Sequence, residues 1–257
     1  MRIGVITTRL LTTFSAAALL MAAAGMTAAR AEGPAPVVLE LFTSQGCSSC
    51  PEADKVLAEL AKEPGVLPVS LAVDYWDYLG WKDTLAMPAH GKRQKAYASL
   101  RGDRAIYTPQ MIVNGGAHVL GNDKAAIERA VKAARSNASE TAVPVDVAVN
   151  DGQVVVDVAA APSPGQSGEV WLLPIKRKVP VRIGRGENRG NTVTYTNVVR
   201  GIIKLGEWNG DKQTFTRPVA DLIKRDGTID GMVAMLQTGK PDAPGKVLGA
   251  ANTDLAQ

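Results

Sequence analysis

Cysteine and histidine are scarce in this 257-residue chain, which contains two of each. Both cysteines fall in one short segment, Cys47-Ser48-Ser49-Cys50, so only one disulfide is available within the chain. A closed zinc site needs four ligands, and the two cysteines would have to recruit His90 and His118. These histidines are far apart in the sequence, unlike the closely spaced ligand pairs of structural zinc sites. We therefore expect no metal site of that kind.

Long hydrophobic runs are also few, and the most prominent one is at the start of the chain. Two arginines precede an uncharged run of mostly small or apolar residues over 10–29, which ends at the small-residue site Ala29-Arg30-Ala31. This three-part pattern predicts a signal peptide over residues 1–31. The alternative is a permanent membrane anchor, but the run is rich in alanine and threonine and only weakly hydrophobic. We expect a periplasmic or secreted protein with no stable membrane anchor after cleavage.

Positive charge is modest once the expected signal peptide is set aside. The chain has a net charge of +4, and three of its arginines precede the first acidic residue. The mature protein is therefore close to neutral, which gives no reason to expect nucleic-acid binding. Basic residues are concentrated in the segment 169–204, which either attracts an acidic partner or is a set of solvated strand faces. They are Lys176, Arg177, Lys178, Arg182, Arg185, Arg189, Arg200 and Lys204.

The first half of the mature chain alternates between strand and helix patterns. An apolar run precedes the cysteines and an amphipathic pattern follows them, ending at Pro64-Gly65. A second strand, a second helix, a hairpin around Asn114-Gly115-Gly116 and a third helix capped by Asn122 come next. The predicted strands are 36–42, 66–73, 110–113 and 118–120, and the predicted second helix is 88–100. This order predicts an α/β domain over residues 32–140.

The second half of the chain has a different residue pattern. From Val143 onward, short runs of alternating or apolar residues are separated by glycine, proline and asparagine turns. Many short strands with regular turns predict an all-β, sandwich-like domain over residues 141–257. The polar stretch 136–141 is the expected boundary between the two domains.

The cysteine pair admits three interpretations. As a structural staple, a disulfide that closes so short a loop contributes only about 2 kcal/mol, which is a small gain for a chain with ample core. Two thiolates also suit Cu(I), which leaves a copper-handling module open. The third interpretation is a redox pair, because Cys47 is expected at the exposed N-terminus of a helix, where the thiolate is favoured. Cys50, one turn further on, would then resolve a mixed disulfide.

A family resemblance favours the redox interpretation. Residues 36–131 resemble a thioredoxin-fold domain with a CxxC motif, and the stretch YTPQMIVNG at 107–115 resembles the segment that thioredoxins place opposite their cysteines. The resemblance implies that Pro109 is cis and that Thr108 binds the substrate backbone. The stretches FTSQGCSSCP, VDYWDYLGWKD, YTPQ and RGENRGNTVTYTNVVR further resemble an uncharacterised family of secreted bacterial thioredoxin-like proteins.

The resemblance has limits. The residues between the cysteines are Ser48 and Ser49, not Gly-Pro, so the direction of electron transfer stays open. Thioredoxins also keep a buried acid beside the pair for proton transfer. Glu40 on the preceding strand is the candidate for that role, and the alternative is that Glu40 is an exposed strand acid. No organic cofactor is expected, since the two sulfurs carry the electrons.

Aromatic residues make up only 5% of the chain, but four of them fall within eight residues. In this stretch, 74–81, we expect Tyr75, Trp76 and Trp81 either to form a wall for a substrate peptide or to pack a long connection onto the domain. The sequence as a whole predicts a thiol–disulfide oxidoreductase-like protein acting on protein or small thiol and disulfide substrates. The alternative is a non-catalytic module that binds a partner or Cu(I).

Overall fold

The structure is a computed structural model that describes residues 1, 35–138, 142–223 and 229–255. The expected signal peptide, apart from Met1, lies outside the described residues, as do residues 139–141 of the expected domain boundary. Within the described part, no helix is both long and apolar enough to cross a membrane.

Strands and helices alternate in the first segment. In chain order they are β1 (Val37–Thr43), α1 (Cys50–Leu60), β2 (Val66–Ala72), a short 3₁₀ turn (Asp77–Leu79), α2 (Pro88–Arg101), β3 (Gln110–Val113), β4 (Ala117–Leu120) and α3 (Lys124–Ala138). Pro51 lies in the first turn of α1, where its missing N–H is no loss. The predicted cap of α3 was displaced by one residue, because Asp123, not Asn122, accepts the hydrogen bond from the Ala126 N–H, at 2.9 Å.

The second segment is almost entirely β. Its elements are β5 (Val145–Asn150), β6 (Gln153–Val158), β7 (Gly168–Arg182), β8 (Thr192–Val199), β9 (Ile203–Trp208), β10 (Gln213–Pro218), α4 (Val219–Ile223), β11 (Gly231–Lys240) and β12 (Ala243–Asp254). The 15-residue strand β7 unites two runs that the sequence pattern separates. The sequence did not predict β10, in which half-buried and exposed residues alternate but Phe215 is the one large apolar side chain, or the short helix α4.

The fold is mostly β, with a large mixed sheet and few helices. The large sheet has the order β12-β11-β7-β8-β2-β1-β3-β4, and β9 also pairs with β7. Among the strand pairs of the described residues, β1–β2 and β2–β8 are parallel and the others are antiparallel. The smaller sheet, β10-β6-β5, packs against the β7–β11–β12 part of the large one, in a sandwich-like arrangement. Strands from both sides of residue 140 share the large sheet, and the division into two domains stays a prediction.

The core fixes the start of α1 against the sheet. All seven residues of β1 are buried. On one face of the sheet, Leu39 and Leu41 pack with Leu57 of α1 and Ile127 of α3. Because β1 is parallel to β2, the carboxyl ends of both strands meet at one edge, which is where open α/β sheets bind their ligands. The Cys47–Cys50 segment begins at this edge.

Candidate redox site

Cys47 and Cys50 form a disulfide in the connection between β1 and α1. Their Cα atoms are 5.4 Å apart. The N–H of Cys50 donates to the carbonyl of Cys47 at 3.2 Å, and Cys50 is the first residue of α1. One sulfur therefore belongs to the helix and faces the core, while the other belongs to the preceding loop.

The expectation that Cys47 lies at the exposed helix end was wrong. The helix begins three residues later, and Cys47 is only 2% exposed, against 0% for Cys50. The exposed residues of the motif are Ser48 and Ser49. Two parts of the protein lie against the loop that carries Cys47, namely Trp76 and the connection between β7 and β8. Both come from elsewhere in the chain, so helix geometry alone gave no sign of them.

Asn188 joins the β7–β8 loop (residues 183–191) to the cysteine loop. Its side-chain amide donates to the carbonyl of Gln45 at 2.9 Å and to the carbonyl of Cys47 at 2.8 Å. The side chain is buried, at 4% exposure. Both N–H groups of this amide are thus used on two carbonyls of the cysteine loop. A single sequence carries no signal for this role, because 141 residues separate Asn188 from Cys47.

Gln45 is held by further side chains. Its N–H donates to the Asp83 carboxylate at 2.8 Å, and its side-chain oxygen accepts from the Trp81 indole N–H at 2.8 Å. Trp81 also lies against Gly184 in the β7–β8 loop, where a Cβ would come within 2.8 Å of the indole ring. Burial raises the pKa of Asp83. The cysteine loop is therefore held by hydrogen bonds from Asn188 of the β7–β8 loop and by hydrogen bonds with Asp83 and Trp81.

Asp54 is a buried acid on the same helix face as Cys50. The four-residue spacing places Asp54 one turn below Cys50, and its side chain is 2% exposed. One carboxyl oxygen accepts from the Thr43 hydroxyl at 3.2 Å, and the other has no hydrogen-bond partner among the described residues. Burial raises the pKa of Asp54 to about 8, with the nearby Asp83 adding to the effect. Asp54 is therefore protonated at neutral pH, and it can donate or accept a proton there.

The segment expected opposite the cysteines contains a cis peptide bond between Thr108 and Pro109, as the resemblance implies. A Cβ on Gly121 would meet the side chains of Pro109 at 3.0 Å and Ala53 at 3.2 Å, so Pro109 lies beside the first turns of α1. The Thr108 hydroxyl accepts from the Trp76 indole N–H at 2.7 Å.

The aromatic stretch makes specific contacts around the cysteine loop. Trp76 packs against Gly46, where a Cβ would come within 3.0 Å of the tryptophan Cβ. The hydroxyl of Tyr75 donates to Gln94 at 3.2 Å. Tyr78, the fourth aromatic residue of the 74–81 stretch, is 77% exposed and stacks on Trp76 with ring centroids 6.4 Å apart. Trp76 therefore bridges the cysteine loop and the Thr108–Pro109 segment, and Tyr78 extends this apolar surface into solvent.

Glu40 is not the exposed strand acid of the alternative interpretation. It is 1% exposed and forms a buried ion pair with Arg93, with Nε–Oε1 and Nη2–Oε2 distances of 2.5 and 3.0 Å. The hydroxyl of Tyr97 donates to the same carboxylate at 2.6 Å, and Gln237 donates to that hydroxyl at 2.7 Å. These contacts satisfy Glu40 as an anion and tie α2 and β11 to β1.

We predict that Glu40→Gln mainly affects stability. The substitution leaves the Arg93 guanidinium buried without its anionic partner, which costs about 2 kcal/mol or more. The urea midpoint of unfolding should fall accordingly, with an unchanged slope. The pH dependence of disulfide reduction should remain that of the unmodified protein, and a shifted pH profile would instead return the proton-transfer role to Glu40.

The two histidines occupy separate environments. The Nδ1 of His90 is 2.8 Å from the Ala72 carbonyl, and burial lowers the pKa of His90 to about 4. His118 lies beside Tyr107, with its Nδ1 at 3.1 Å from the tyrosine hydroxyl. Among the described residues, no three or more His, Cys, Asp or Glu side chains come together in a way that could hold a metal ion.

Comparison with known proteins assigns the chain to a family. The sequence pattern of the protein family of unknown function DUF1223 matches residues 38–237, which include both cysteines and the β7–β8 loop. The chain belongs to this family. The match covers strands of both segments, so the DUF1223 pattern includes the candidate redox site and all strands of the large sheet except β12 and the end of β11.

One curated relative of this DUF1223 protein supports a thioredoxin-like resemblance, and two solved structures share its fold. A 38-residue stretch is 50% identical to a probable thioredoxin of Archaeoglobus fulgidus, and covers 15% of this chain and 42% of that relative. The crystal structure of protein AGR_C_4864 from Agrobacterium tumefaciens is 30% identical and matches 88% of this chain and all of that one, with a TM-score of 0.76. HBP35 of Porphyromonas gingivalis shares the fold over 86% of this chain and 76% of its own, with a TM-score of 0.58 at 14% identity.

Proposed function

We propose that this DUF1223 protein is an exported thiol–disulfide oxidoreductase built on a thioredoxin-like domain. The observation that carries the proposal is the Cys47–Cys50 disulfide at the start of α1, one turn above the buried Asp54. A pair with a core-facing sulfur and an adjacent proton donor is suited to repeated opening and closing. The short match to a probable thioredoxin adds support.

The proposed exchange has two steps. A partner thiolate attacks the Cys47 sulfur, the Cys47–Cys50 bond breaks, and the Cys50 thiolate leaves with the electron pair and takes a proton from Asp54. A second partner thiolate then attacks the partner sulfur of the mixed disulfide and releases Cys47 as a thiolate. Two partner thiols thereby become one disulfide, and two electrons pass to the cysteine pair. In the opposite direction, the Asp54 carboxylate takes the proton of Cys50.

We assign substrate binding to the surface beside the disulfide. Thr108 and Pro109 would contact the partner backbone, and Trp76 with the exposed Tyr78 would contact its apolar side chains. In this assignment Trp81 and Tyr75 hold the site through Gln45 and Gln94. Export is part of the proposal, because a stable disulfide that exchanges with partners requires an oxidising compartment.

Catalysed disulfide exchange tests this function. The purified protein should accelerate the reduction of insulin disulfides by dithiothreitol, and alkylation followed by mass spectrometry should show Cys47 and Cys50 changing state together. An insulin reaction no faster than dithiothreitol alone would contradict the proposal. Tight Cu(I) binding by the reduced pair without any exchange activity would favour the copper-handling alternative.

A further inference from the structure

The β7–β8 loop contributes to the redox site from the second segment of the chain. Asn188 ties the loop to the carbonyls of Gln45 and Cys47, and Trp81 lies between the loop and Gln45. The loop is a defined structure, since the Gly190 N–H donates to the Ile183 carbonyl at 2.8 Å. The backbone that carries its other side chains is therefore held in place next to the cysteine loop.

Four basic residues of the segment 169–204 lie in β7 and the β7–β8 loop and have free side chains among the described residues. Within the described residues, Arg177 is paired with Asp254, Lys204 is paired with Glu169 and Glu207, and Lys176 and Arg200 also have partners. The remaining four are exposed and form no hydrogen bond or ion pair among the described residues. We call them the basic stripe: Lys178, Arg182, Arg185 and Arg189.

The geometry of β7 aligns the basic stripe. Residues 178 and 182 are an even number apart, so their side chains leave the same face of the strand. Four strand residues span about 13 Å. Arg185 and Arg189 are exposed residues of the β7–β8 loop that follows β7, and they lie on either side of Asn188 in the sequence. The Asn188 amide donates to the Cys47 carbonyl. The single acid among them is the exposed Glu187. An extended chain of negative charge would be drawn along this line to the disulfide.

We propose that the β7–β8 loop selects the substrate of the redox pair: Asn188 positions Cys47, and the basic stripe binds an acidic peptide segment that flanks the reacting cysteine of the partner. The proposal rests on the proposed function and defines its substrate class. It gives the basic stripe, which belongs to the positively charged segment 169–204, a role in substrate binding beside the disulfide. Exposed charges on an extended stripe raise the encounter rate of oppositely charged partners in a salt-dependent way.

Two blocked tripeptides, Glu-Cys-Glu and Gln-Cys-Gln, test the proposal as reductants of the Cys47–Cys50 disulfide. Rates are expressed per thiolate, which removes the effect of the peptides' different thiol pKa values. At low salt the acidic peptide should react about 5–10-fold faster than the neutral one. The Arg185→Gln/Arg189→Gln double variant and 0.5 M NaCl should each bring this ratio to about 1.

A matched control separates local charge from total charge. Lys62 follows the far end of α1, and Lys132 is an exposed residue of α3. The Lys62→Gln/Lys132→Gln variant has the same net charge as the arginine variant and should keep the wild-type ratio. Equal ratios in the two double variants, or a ratio of about 1 in the wild-type protein, would overturn the proposal.

Asn188→Leu tests the positioning role, because leucine has a similar size but no donor. The loop should then loosen, so the acidic-to-neutral ratio should fall at least about 3-fold while the neutral peptide gains access to Cys47. A variant that is less stable but keeps the ratio would show that Asn188 is only structural and would overturn this assignment. No reaction of the wild-type disulfide with either peptide would contradict the proposed function itself, and the substrate proposal with it.

Discussion

Replacing Cys47 with serine is expected to lower catalysed disulfide exchange by about 10³-fold or more, because no other sulfur can take the attacking role. Cys50, which would remain, belongs to α1 and faces the core, whereas Cys47 belongs to the loop that precedes the helix. The converse variant, Cys50→Ser, should accumulate mixed disulfides with partner proteins through Cys47, since the resolving sulfur is missing. Non-reducing gels and mass spectrometry of cross-linked species measure both effects.

Ser48→Ala is the matched control for this pair of variants. Ser48 is exposed, lies between the cysteines, and has no role in the proposed exchange. Its variant should react like the unmodified protein and trap nothing. Equal trapping by Cys47→Ser and Cys50→Ser would contradict the different roles assigned to the two sulfurs.

The second large effect is expected from Asp54→Asn. Asparagine is similar in shape to aspartate, but it cannot transfer a proton to or from Cys50. We expect the exchange rate at pH 7 to fall by about 10²-fold, a typical loss for a missing general acid or base. Stopped-flow reduction by dithiothreitol, measured from pH 5 to 9, should also lose the pH dependence near the Asp54 pKa of about 8. A rate profile unchanged by the substitution would rule out this role.

The same residue links stability to pH. The folded-state pKa of Asp54 is about 8, against an ordinary value of 3.8, so the folded protein holds this proton more tightly than the unfolded chain. This contribution is fully present below about pH 4 and is lost as the pH rises toward 8. Between pH 5 and 8, the loss of the Asp54 contribution should be on the order of 2–4 kcal/mol in the oxidised protein. His90, whose pKa burial lowers to about 4, acts in the opposite direction, so the difference between the wild-type and Asp54→Asn proteins isolates the Asp54 contribution.

Urea unfolding of oxidised protein at the two pH values measures this loss. Asp54→Asn should remove most of it, while the exposed control Glu63→Gln should not. An identical pH dependence in the wild-type and Asp54→Asn proteins would show that Asp54 titrates normally in the folded state.

Local features of the site were readable from the sequence. An apolar strand, a cysteine pair and a helix starting near Pro51 follow from residue types within a few positions of one another, and the structure has them. Asp54 was not singled out from the sequence, because acids in a first helical turn normally interact with the helix dipole in solvent. Its four-residue spacing from Cys50, which places both residues on one helix face, was the signal that could have found it.

Features that depend on contacts between residues far apart in the chain could not be predicted from the sequence. Cys47 is covered by Trp76 and by the loop that carries Asn188, and nothing near the cysteines encodes either contact. Glu40 follows the same rule, because its burial depends on Arg93, which lies 53 residues away on α2. In both cases the deciding contacts join elements that meet only in the folded protein.

The reduction potential of the Cys47–Cys50 pair tests the central claim most directly. The purified protein is equilibrated with a series of dithiothreitol and glutathione buffers, quenched with acid, alkylated and analysed by mass spectrometry. A pair that exchanges with partners should have a potential between about −120 and −270 mV, reached from both the oxidised and the reduced side. A potential below about −300 mV, with no exchange on the time scale of the assay, would identify the disulfide as structural and contradict the account.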